Sequence, residues 1–191
     1  ASQVPMINGC CERYHPCQAL TDVLTMTEHS DKPLGALHLL YTGVQNNVSN
    51  SLVLMADRLG FSLTLATPEP EETQESFDAD LQAMIMDNPS IQRVEDPRDA
   101  IASADFIYTD TWIDMQYFND PTKHSEKTAL IAQMQRFQIN ADLLSGHELK
   151  IMHDMPIHND YEITEAAVRD PRSIIFDQAA NRLHAQKGLL Y

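Results

Sequence analysis

Short apolar runs and longer periodic segments alternate along most of the chain. The apolar runs, which are typical of strands buried on both faces of a sheet, lie at residues 36–41, 61–66, 106–108 and 149–152. Weaker runs that predict shorter strands lie at residues 4–8, 91–94 and 173–176. Segments with helical patterning lie at residues 15–28, 48–59, 71–87, 96–102, 128–137, 161–168 and 178–190, with a further turn at 141–144.

This order of elements predicts the fold class. Strands that alternate with helices at such spacing indicate a mainly parallel sheet. We therefore expect an α/β protein whose doubly wound, mainly parallel sheet carries helices on both faces, a Rossmann-like three-layer sandwich. A chain of 191 residues is long enough for one such domain and its core.

The strand predicted at 106–108 ends abruptly in the polar pair Thr109 and Asp110. In open α/β sheets, ligands bind in the crevice outside the carboxyl ends of the strands. Asp110, Asp114 and Met115 are therefore expected to line a pocket rather than an outer surface.

Polar segments follow several predicted strands at the same edge of the sheet. They lie at 42–47, 109–115 and 153–158, and the last helix adds Gln178 and Arg182. One polar loop would mean little, because loops are polar in general. Several at one edge favour a small-molecule site.

Candidate residues in these segments also have ordinary structural explanations. His15 could simply start a helix, with its polar groups satisfied by backbone. One of Asn46 and Asn47 could cap the following helix, which would leave the other free for a ligand. Asp110 could cap the turn after its strand, and Asp114 could be solvated.

Composition excludes some classes of function. With a formal net charge of −15 the chain has no basic cluster for a phosphate backbone, so we expect no nucleic-acid partner. The apolar runs fall well short of the ~20 residues that a membrane-spanning helix needs, so no membrane partner is expected either. Three cysteines, an odd number, fit a reducing compartment better than a disulfide scaffold, and we expect a cytoplasmic protein.

Cofactor and metal motifs are weak. The loop at 42–47 contains one glycine and no G-x-G-x-x-G sequence, so a dinucleotide site has little support. His153 and His158 lie five positions apart and flank Pro156, whereas a first-row metal ion needs three or four ligands in fixed geometry. We therefore expect no metal and no cofactor.

Five segments together resemble the carbamoyltransferase family, on its ornithine side. Residues 15–22 resemble its H-P-x-Q-x-x-x-D helix, and residues 41–51 resemble its G-D-G-N-N-x-x-x-S loop. Residues 110–115 match D-x-W-x-S-M-G in part, and 153–156 stand where the family has H-C-L-P. Residues 176–187 resemble its F-D-Q-A-E-N-R helix. The motifs occur in the family's order along the whole chain.

The resemblance implies transfer of a carbamoyl group from carbamoyl phosphate to the amine of ornithine or a similar acceptor. Such chemistry depends on positioning and on hydrogen-bond donors aimed where negative charge develops. The residues that the resemblance places at the reacting groups are His15, Gln18, His153, Asp154 and Arg182. Those that it places at the amino-acid end of the acceptor are Asn46, Asn47, Asp110, Asp114 and Met115.

Some positions depart from the family pattern. Asp154 replaces a cysteine beside the reacting amine, and Asp114 replaces a serine that meets the acceptor's α-amino group. Val44 and Gln45 stand where Asp-Gly is usual. A carboxylate beside the amine would raise the amine's pKa and slow its attack, unless that carboxylate is the base. We therefore expect an acceptor other than plain ornithine, or one that binds differently.

The family's phosphate-binding S-x-R-T-R loop has no counterpart in this sequence, so we expect an acceptor-binding half that is inactive alone. Residues 1–30 are interpreted as a strand and an interdomain helix, and 31–176 as the acceptor-binding domain. Residues 177–191 are interpreted as a helix that packs on a missing N-terminal domain, which would cover Leu183, Leu189 and Leu190. The resemblance also implies a trimer when the enzyme is complete.

Two alternatives remain open. The same chemistry could serve another amine, such as an N-acylated ornithine or putrescine. The fold could also serve as a non-catalytic ligand-binding module, which Asp114, Asp154 and Ala180 would allow, the last standing where the family has glutamate.

Overall fold

The computed structural model describes residues 4–113 and 124–191. Five parallel strands form one sheet in the order β3-β2-β1-β4-β5. The strands are β1 (His38–Thr42), β2 (Ser62–Ala66), β3 (Ile91–Val94), β4 (Phe106–Thr109) and β5 (Lys150–His153). The helices are α1 (Pro16–Glu28), α2 (Asn47–Leu59), α3 (Ala79–Asp87), α4 (His124–Met134), α5 (Ala141–Leu144), α6 (Glu165–Val168) and α7 (Ile175–Leu190). Within these residues, no helix is long and apolar enough to cross a membrane.

Helices cover both faces of the sheet. Successive residues of each strand point to opposite sides, so each strand contributes to an apolar cluster on both faces. In β1, Leu39 and Tyr41 join an apolar cluster with Ala19 of α1 and Leu52 of α2. Leu40 joins a second cluster, to which α4, α5 and α6 contribute. The predicted fold class, a doubly wound parallel sheet between two helical layers, is confirmed.

The carboxyl ends of β1 and β4 form the point at which the chain changes direction across the sheet. From β1 the chain continues to β2 on one side, and from β4 it continues to β5 on the other. Tyr41 pairs with Tyr108, so the two strands end at the same level. Thr109 Oγ1 donates a hydrogen bond of 2.7 Å to the Thr42 carbonyl oxygen. The loops that follow therefore diverge and leave a crevice between them.

Helices α1 and α7 are far apart in the sequence but pack side by side. Asn181 Nδ2 on α7 donates hydrogen bonds to Thr25 Oγ1 at 3.1 Å and to Glu28 Oε2 at 2.6 Å, both on α1. This packing brings Gln178 and Arg182 of α7 against the first turns of α1.

Several predicted elements differ from the structure. The strand predicted at 4–8 is absent, since these residues are exposed and lie outside the sheet. The helix predicted at 71–87 begins only at Ala79, because Asp78 Oδ1 accepts hydrogen bonds from backbone N–H groups of the first turn and caps the helix there. The helix predicted at 96–102 is two short 3₁₀ turns.

The prediction of a strand at 173–176 is also wrong. Ser173 makes a single isolated bridge with Ile151, and α7 begins two residues later. The helix predicted at 161–168 is limited to α6, because the Thr164 side chain caps its first turn. In each case a polar side chain or a neighbouring strand sets a boundary that apolar spacing does not show.

Candidate active site

A cleft of 430 Å³ lies at the carboxyl edge of the sheet, between the loops that follow β1 and β4. The segment before α1 and the loop before α3 complete its walls. Residues that line it include Glu12, Asn46, Asn47, Glu75, Asp110 and Trp112. This is the crevice that the strand order places between diverging loops.

Asn46 joins the two loops across the cleft. Its Oδ1 accepts hydrogen bonds of 3.1 Å from the backbone N–H groups of Val48 and Ser49, so it caps α2. Its Nδ2 donates a hydrogen bond of 2.7 Å to Asp110 Oδ2. The cap explanation is therefore right for Asn46, and the same side chain also orients Asp110.

Asp110 presents a largely buried carboxyl group in the cleft wall, with 7% of the residue exposed. Its Oδ1 accepts a hydrogen bond of 2.7 Å from the backbone N–H of Thr111. Burial raises the pKa of the Asp110 carboxyl, while hydrogen bonds from Thr111 and Asn46 act in the opposite direction. A cationic ligand group in the cleft would favour the charged carboxylate further.

Asn47 ties the segment before α1 to the start of α2. Its Nδ2 donates a hydrogen bond of 2.8 Å to the Cys11 carbonyl oxygen. Its own carbonyl oxygen accepts from the His15 backbone N–H at 3.1 Å. The amide side chain therefore holds a wall of the cleft in place, and it contacts protein atoms rather than projecting alone into the cavity.

His15 carries a ring nitrogen with no partner. Its backbone N–H donates to Ser51 Oγ at 2.7 Å, which fixes the residue at the start of α1. Its ring Nδ1 is buried and has no hydrogen-bond partner among the residues that the structure describes. Burial, and then the nearby charge of Arg182, lowers the pKa of the imidazole. The ring is thus neutral at pH 7 and available to a ligand.

A chain of hydrogen bonds connects α1, α7 and the end of β5. Gln18 Nε2 and Gln178 Nε2 donate to Asp22 Oδ1 at 2.8 Å and 2.7 Å. Gln178 Oε1 accepts from the His153 backbone N–H at 2.9 Å. Arg182 Nη1 donates to Gln18 Oε1. Three separate segments of the chain therefore hold one another in fixed positions.

Asp22 lies at the centre of this network and is fully buried. Burial raises the pKa of its carboxyl to about 7, against the opposing effect of the hydrogen bonds from Gln178 and Gln18. The sequence prediction did not include Asp22 among the site residues. Its position seven residues after His15, on the helix face that also carries Gln18, is the signal that could have identified it.

His153 uses both ring nitrogens within the protein. Its Nδ1 accepts a hydrogen bond of 2.8 Å from the Met155 backbone N–H, so we assign the ring proton to Nε2, which lies 3.2 Å from Glu162 Oε1. Both side chains are buried. The ring therefore shapes the loop after β5. Within the described residues, no group of three or more His, Cys, Asp or Glu side chains could hold a metal ion.

Asp154 and Arg182 stand at the open end of the network. Asp154 Oδ1 lies 3.9 Å from Arg182 Nη1, and 11% of its side chain is exposed. Burial, and then the charges of Asp110 and Asp22, raises the pKa of the Asp154 carboxyl to about 9, while Arg182 acts in the opposite direction. Asp154 thus interacts electrostatically with Arg182 and Asp22 of the network and with Asp110 in the cleft.

The residues expected at the site fall into two adjoining groups. The group around α1 and α7 contains His15, Gln18, Asp154 and Arg182. The group in the cleft contains Asn46, Asn47 and Asp110. His153 lies beneath them and positions the backbone. Asp114 and Met115 lie outside the described residues.

Trp112 and Gln45 shape the cleft, although the sequence prediction gave neither a site role. Trp112 Nε1 is buried without a partner among the described residues, and a Cβ at Gly43 would lie 2.9 Å from it. Gln45 Oε1 accepts a hydrogen bond of 2.6 Å from Arg93 Nη2. These contacts join positions that are distant in sequence, so periodicity and spacing give no sign of them.

Comparison with known protein families gives a direct match. Residues 36–191 match the family described as "Aspartate/ornithine carbamoyltransferase, Asp/Orn binding domain". The matched region contains the whole sheet and every helix except α1.

Individual proteins extend the match over nearly the whole chain. The chain is 38% identical over 192 aligned positions to an ornithine carbamoyltransferase from Bacillus cereus, covering 99% of this chain and 58% of that protein. It is 41% identical to one from Methanococcus maripaludis, covering 98% of this chain and 61% of that protein. The chain therefore spans about three-fifths of the length of these relatives.

Solved structures agree with this match. The ornithine carbamoyltransferase from Thermus thermophilus has a TM-score of 0.78 at 36% identity, over 99% of this chain and 58% of that one. The enzyme from Pyrococcus furiosus has a TM-score of 0.80 at 34% identity, over 99% of this chain and 59% of that one.

Proposed function

The chain belongs to the aspartate/ornithine carbamoyltransferase family, and we propose that it forms the acceptor-binding half of a carbamoyltransferase. In this proposal the enzyme moves the carbamoyl group of carbamoyl phosphate to the amine of ornithine or an ornithine-like acceptor. The hydrogen-bonded chain from Arg182 through Gln18, Asp22 and Gln178 to His153 carries the proposal. It joins three of the family's motifs into one rigid unit beside an open cleft.

The carbamoyl end of the proposed reaction needs donors near the carbonyl oxygen, where negative charge develops. The buried Nδ1 of the neutral His15 ring has no partner among the described residues, and it would donate in the tautomer that carries the ring proton on Nδ1. Gln18 Nε2 carries two hydrogens, and Asp22 accepts one of them. Arg182 supplies a permanent positive charge beside them. These three groups would polarise the carbonyl without forming a covalent bond to it.

The acceptor end of the proposed reaction needs a group that holds the second charged end of the amine. Asp110 is suited to bind an ammonium group, because Asn46 and the Thr111 backbone N–H fix both of its oxygens. We further propose that Asp114 and Met115 belong to this end of the site. Asn47 and His153 would then act by holding the walls in position, since their side chains contact protein atoms.

The charge of the cleft bears on which amine is transferred. Glu12, Glu75 and Asp110 line it, and none of the described lining residues is lysine or arginine. An acidic cleft favours an acceptor with a second positive charge, such as ornithine or putrescine, over one whose second amine is acylated. We retain a diamine such as putrescine as the alternative acceptor, and a non-catalytic binding module as the alternative for the fold.

We also propose the arrangement that the family resemblance implies. Residues 1–30 would serve as the connection between domains, 31–176 as the acceptor domain and 177–191 as a helix covered by a carbamoyl-phosphate domain. The exposed apolar side chains of Leu183 and Leu190, on α7, suit such a surface. A trimeric assembly and a role in arginine metabolism belong to the same proposal.

The experiment that tests this function uses the complete gene product that contains this chain. It is incubated with carbamoyl phosphate and each of ornithine, putrescine and N-acetylornithine, and both phosphate and the ureido product are measured. We expect equal amounts of the two products with ornithine or with putrescine. Binding of an amine without any turnover would instead support the non-catalytic module.

A further inference from the structure

Asp154 is a nearly buried carboxyl group without a hydrogen-bond donor. Only 11% of its side chain is exposed, and its one charged contact, to Arg182 Nη1, is 3.9 Å long. No side-chain hydrogen bond to Asp154 occurs among the described residues. A carboxylate withdrawn from water without a partner is costly, so a ligand N–H at this position would be strongly favoured.

The other buried carboxyl groups of the site are already engaged. Asp22 accepts from Gln18 and Gln178 on Oδ1, and its Oδ2, which has no partner among the described residues, is fully buried and not accessible from outside. Asp110 accepts from Asn46 and from a backbone N–H. Asp154 differs from both because it combines partial access from outside with oxygens that no donor in the described protein holds.

Charged and titratable groups face Asp154 from several elements of the fold. They are Cys10, Asp22, Tyr41, Tyr108, Asp110 and Arg182. Two carboxyl groups and one guanidinium thus act on Asp154 together with its burial. The result is a carboxyl group whose pKa in the unliganded site, about 9, is near that of an alkylamine, and an ammonium group bound beside it would favour its charged form. Proton exchange between two groups of similar pKa needs little driving force.

We propose, on the basis of the carbamoyltransferase function proposed above, that Asp154 is the catalytic base that takes the proton from the acceptor's ammonium group before attack. The Arg182 contact places this carboxyl beside the groups that would hold the carbamoyl carbonyl. The cysteine that the family has at this position is replaced here by a group that binds and deprotonates a cationic amine.

In the proposed step, two protons leave the attacking nitrogen and each has a defined acceptor. The ammonium nitrogen gives one proton to the Asp154 carboxylate, and its freed electron pair forms a bond to the carbamoyl carbon. The bond from that carbon to the phosphate oxygen breaks, and the oxygen keeps its electron pair. A second proton passes from the attacking nitrogen to the departing phosphate, and Asp154 later releases its proton to water.

The test compares the complete gene product with its Asp154→Asn variant, using two acceptors. One is the amine that the wild type converts best, and the other is its aminooxy analogue, whose nitrogen is unprotonated at neutral pH. With the amine we expect kcat/KM to fall about 10²-fold at pH 7.5, as for loss of a general base. With the aminooxy analogue we expect a loss of less than about 10-fold, because no proton has to be removed before attack.

Asp160→Asn is the matched control, because Asp160 is an exposed residue in the same loop region. It should leave kcat/KM for both acceptors unchanged. If Asp154→Asn does not fold, as judged by circular dichroism, Asp154→Ser gives the same comparison.

Equal losses with both acceptors would overturn the proposal for Asp154, because they would indicate a structural role. No loss with either acceptor would also overturn it. Failure of the wild type to carbamoylate any amine is a different result, and it would overturn the proposed function itself.

Discussion

Arg182, near the end of the chain, donates a hydrogen bond to Gln18, which lies 164 positions earlier in the first helix. This contact closes the network in which Asp22 and Gln178 also take part. The groups that would act on a carbamoyl carbonyl are therefore held by the packing of α1 against α7. Any change that loosens this helix pair should affect stability and chemistry together.

Gln178→Ala tests how much the hydrogen-bond network contributes to the stability of the protein. The substitution leaves the Asp22 carboxyl with one donor fewer and the His153 backbone N–H without its acceptor. We expect the free energy of unfolding to fall by about 1–3 kcal/mol, as for buried polar groups that lose a partner. Urea denaturation measures this. His184→Ala, at an exposed position of the same helix, should change stability by less than about 0.5 kcal/mol.

Asp22→Asn tests the buried carboxyl through its pH dependence. Asp22 titrates near its ordinary value of 3.8 when unfolded and at about 7 when folded. Between these values the folded state holds more protons, so this group lowers stability as pH rises from about 4 to about 7. The asparagine variant cannot titrate. Its stability relative to the wild type should therefore improve across that window, by at most about 1.4 kcal/mol per pH unit.

Denaturation at pH 5 and pH 7.5 measures this difference. A difference between variant and wild type that stays constant with pH would show that Asp22 titrates alike in both states. A difference that falls with rising pH would mean that its pKa is lowered on folding.

Two substitutions of Asn46 separate its two contacts. Asn46→Ala removes the cap of α2 and should lower stability by about 1 kcal/mol. Asn46→Ser keeps a capping oxygen but lacks the Nδ2 that donates to Asp110. We expect the serine variant to retain most of the stability and to bind the acceptor more weakly. Thermal unfolding and a titration of KM distinguish the two; equal KM values in wild type and serine variant would exclude this role in orienting Asp110.

Gly43 and Gly188 form a contrasting pair. Gly43 has φ of 128°, and a Cβ there would lie 2.9 Å from Trp112 Nε1, so Gly43→Ala should destabilise the protein by more than about 1 kcal/mol. Gly188 lies in α7 with nothing within 4 Å of an added Cβ. Gly188→Ala should raise stability by up to about 1 kcal/mol. Thermal unfolding of both variants checks this, and equal effects would contradict the conformational explanation.

The sequence predicted the parts of the structure that local pattern determines. Apolar runs predicted β1, β2 and β4, because a strand that is buried on both faces needs an almost continuous run of apolar residues. Spacing could not show that Asp78 caps α3 only at Ala79, since a capping oxygen competes locally with the helix pattern.

The candidate site was predictable to the same extent. The polar strand ends predicted Asp110, and the family motifs predicted His15, Gln18 and Arg182, which lie together in the structure. The orientation of His153 was not predictable, because it depends on Glu162, a buried partner nine residues away that no motif includes. Such contacts follow from tertiary packing and not from sequence spacing.

The rate of phosphate release from carbamoyl phosphate tests the central claim most directly, when the complete gene product and its His15→Gln variant are compared with the amine that the wild type converts best. His15 offers a buried ring nitrogen without a partner among the described residues, which donates when the ring proton is on Nδ1. Loss of one donor to developing negative charge lowers kcat by about 10²–10³-fold. We expect that loss for His15→Gln, and unchanged turnover for His147→Gln as the matched control. Equal rates in wild type and His15→Gln would contradict the claim that carbamoyl transfer takes place at this site.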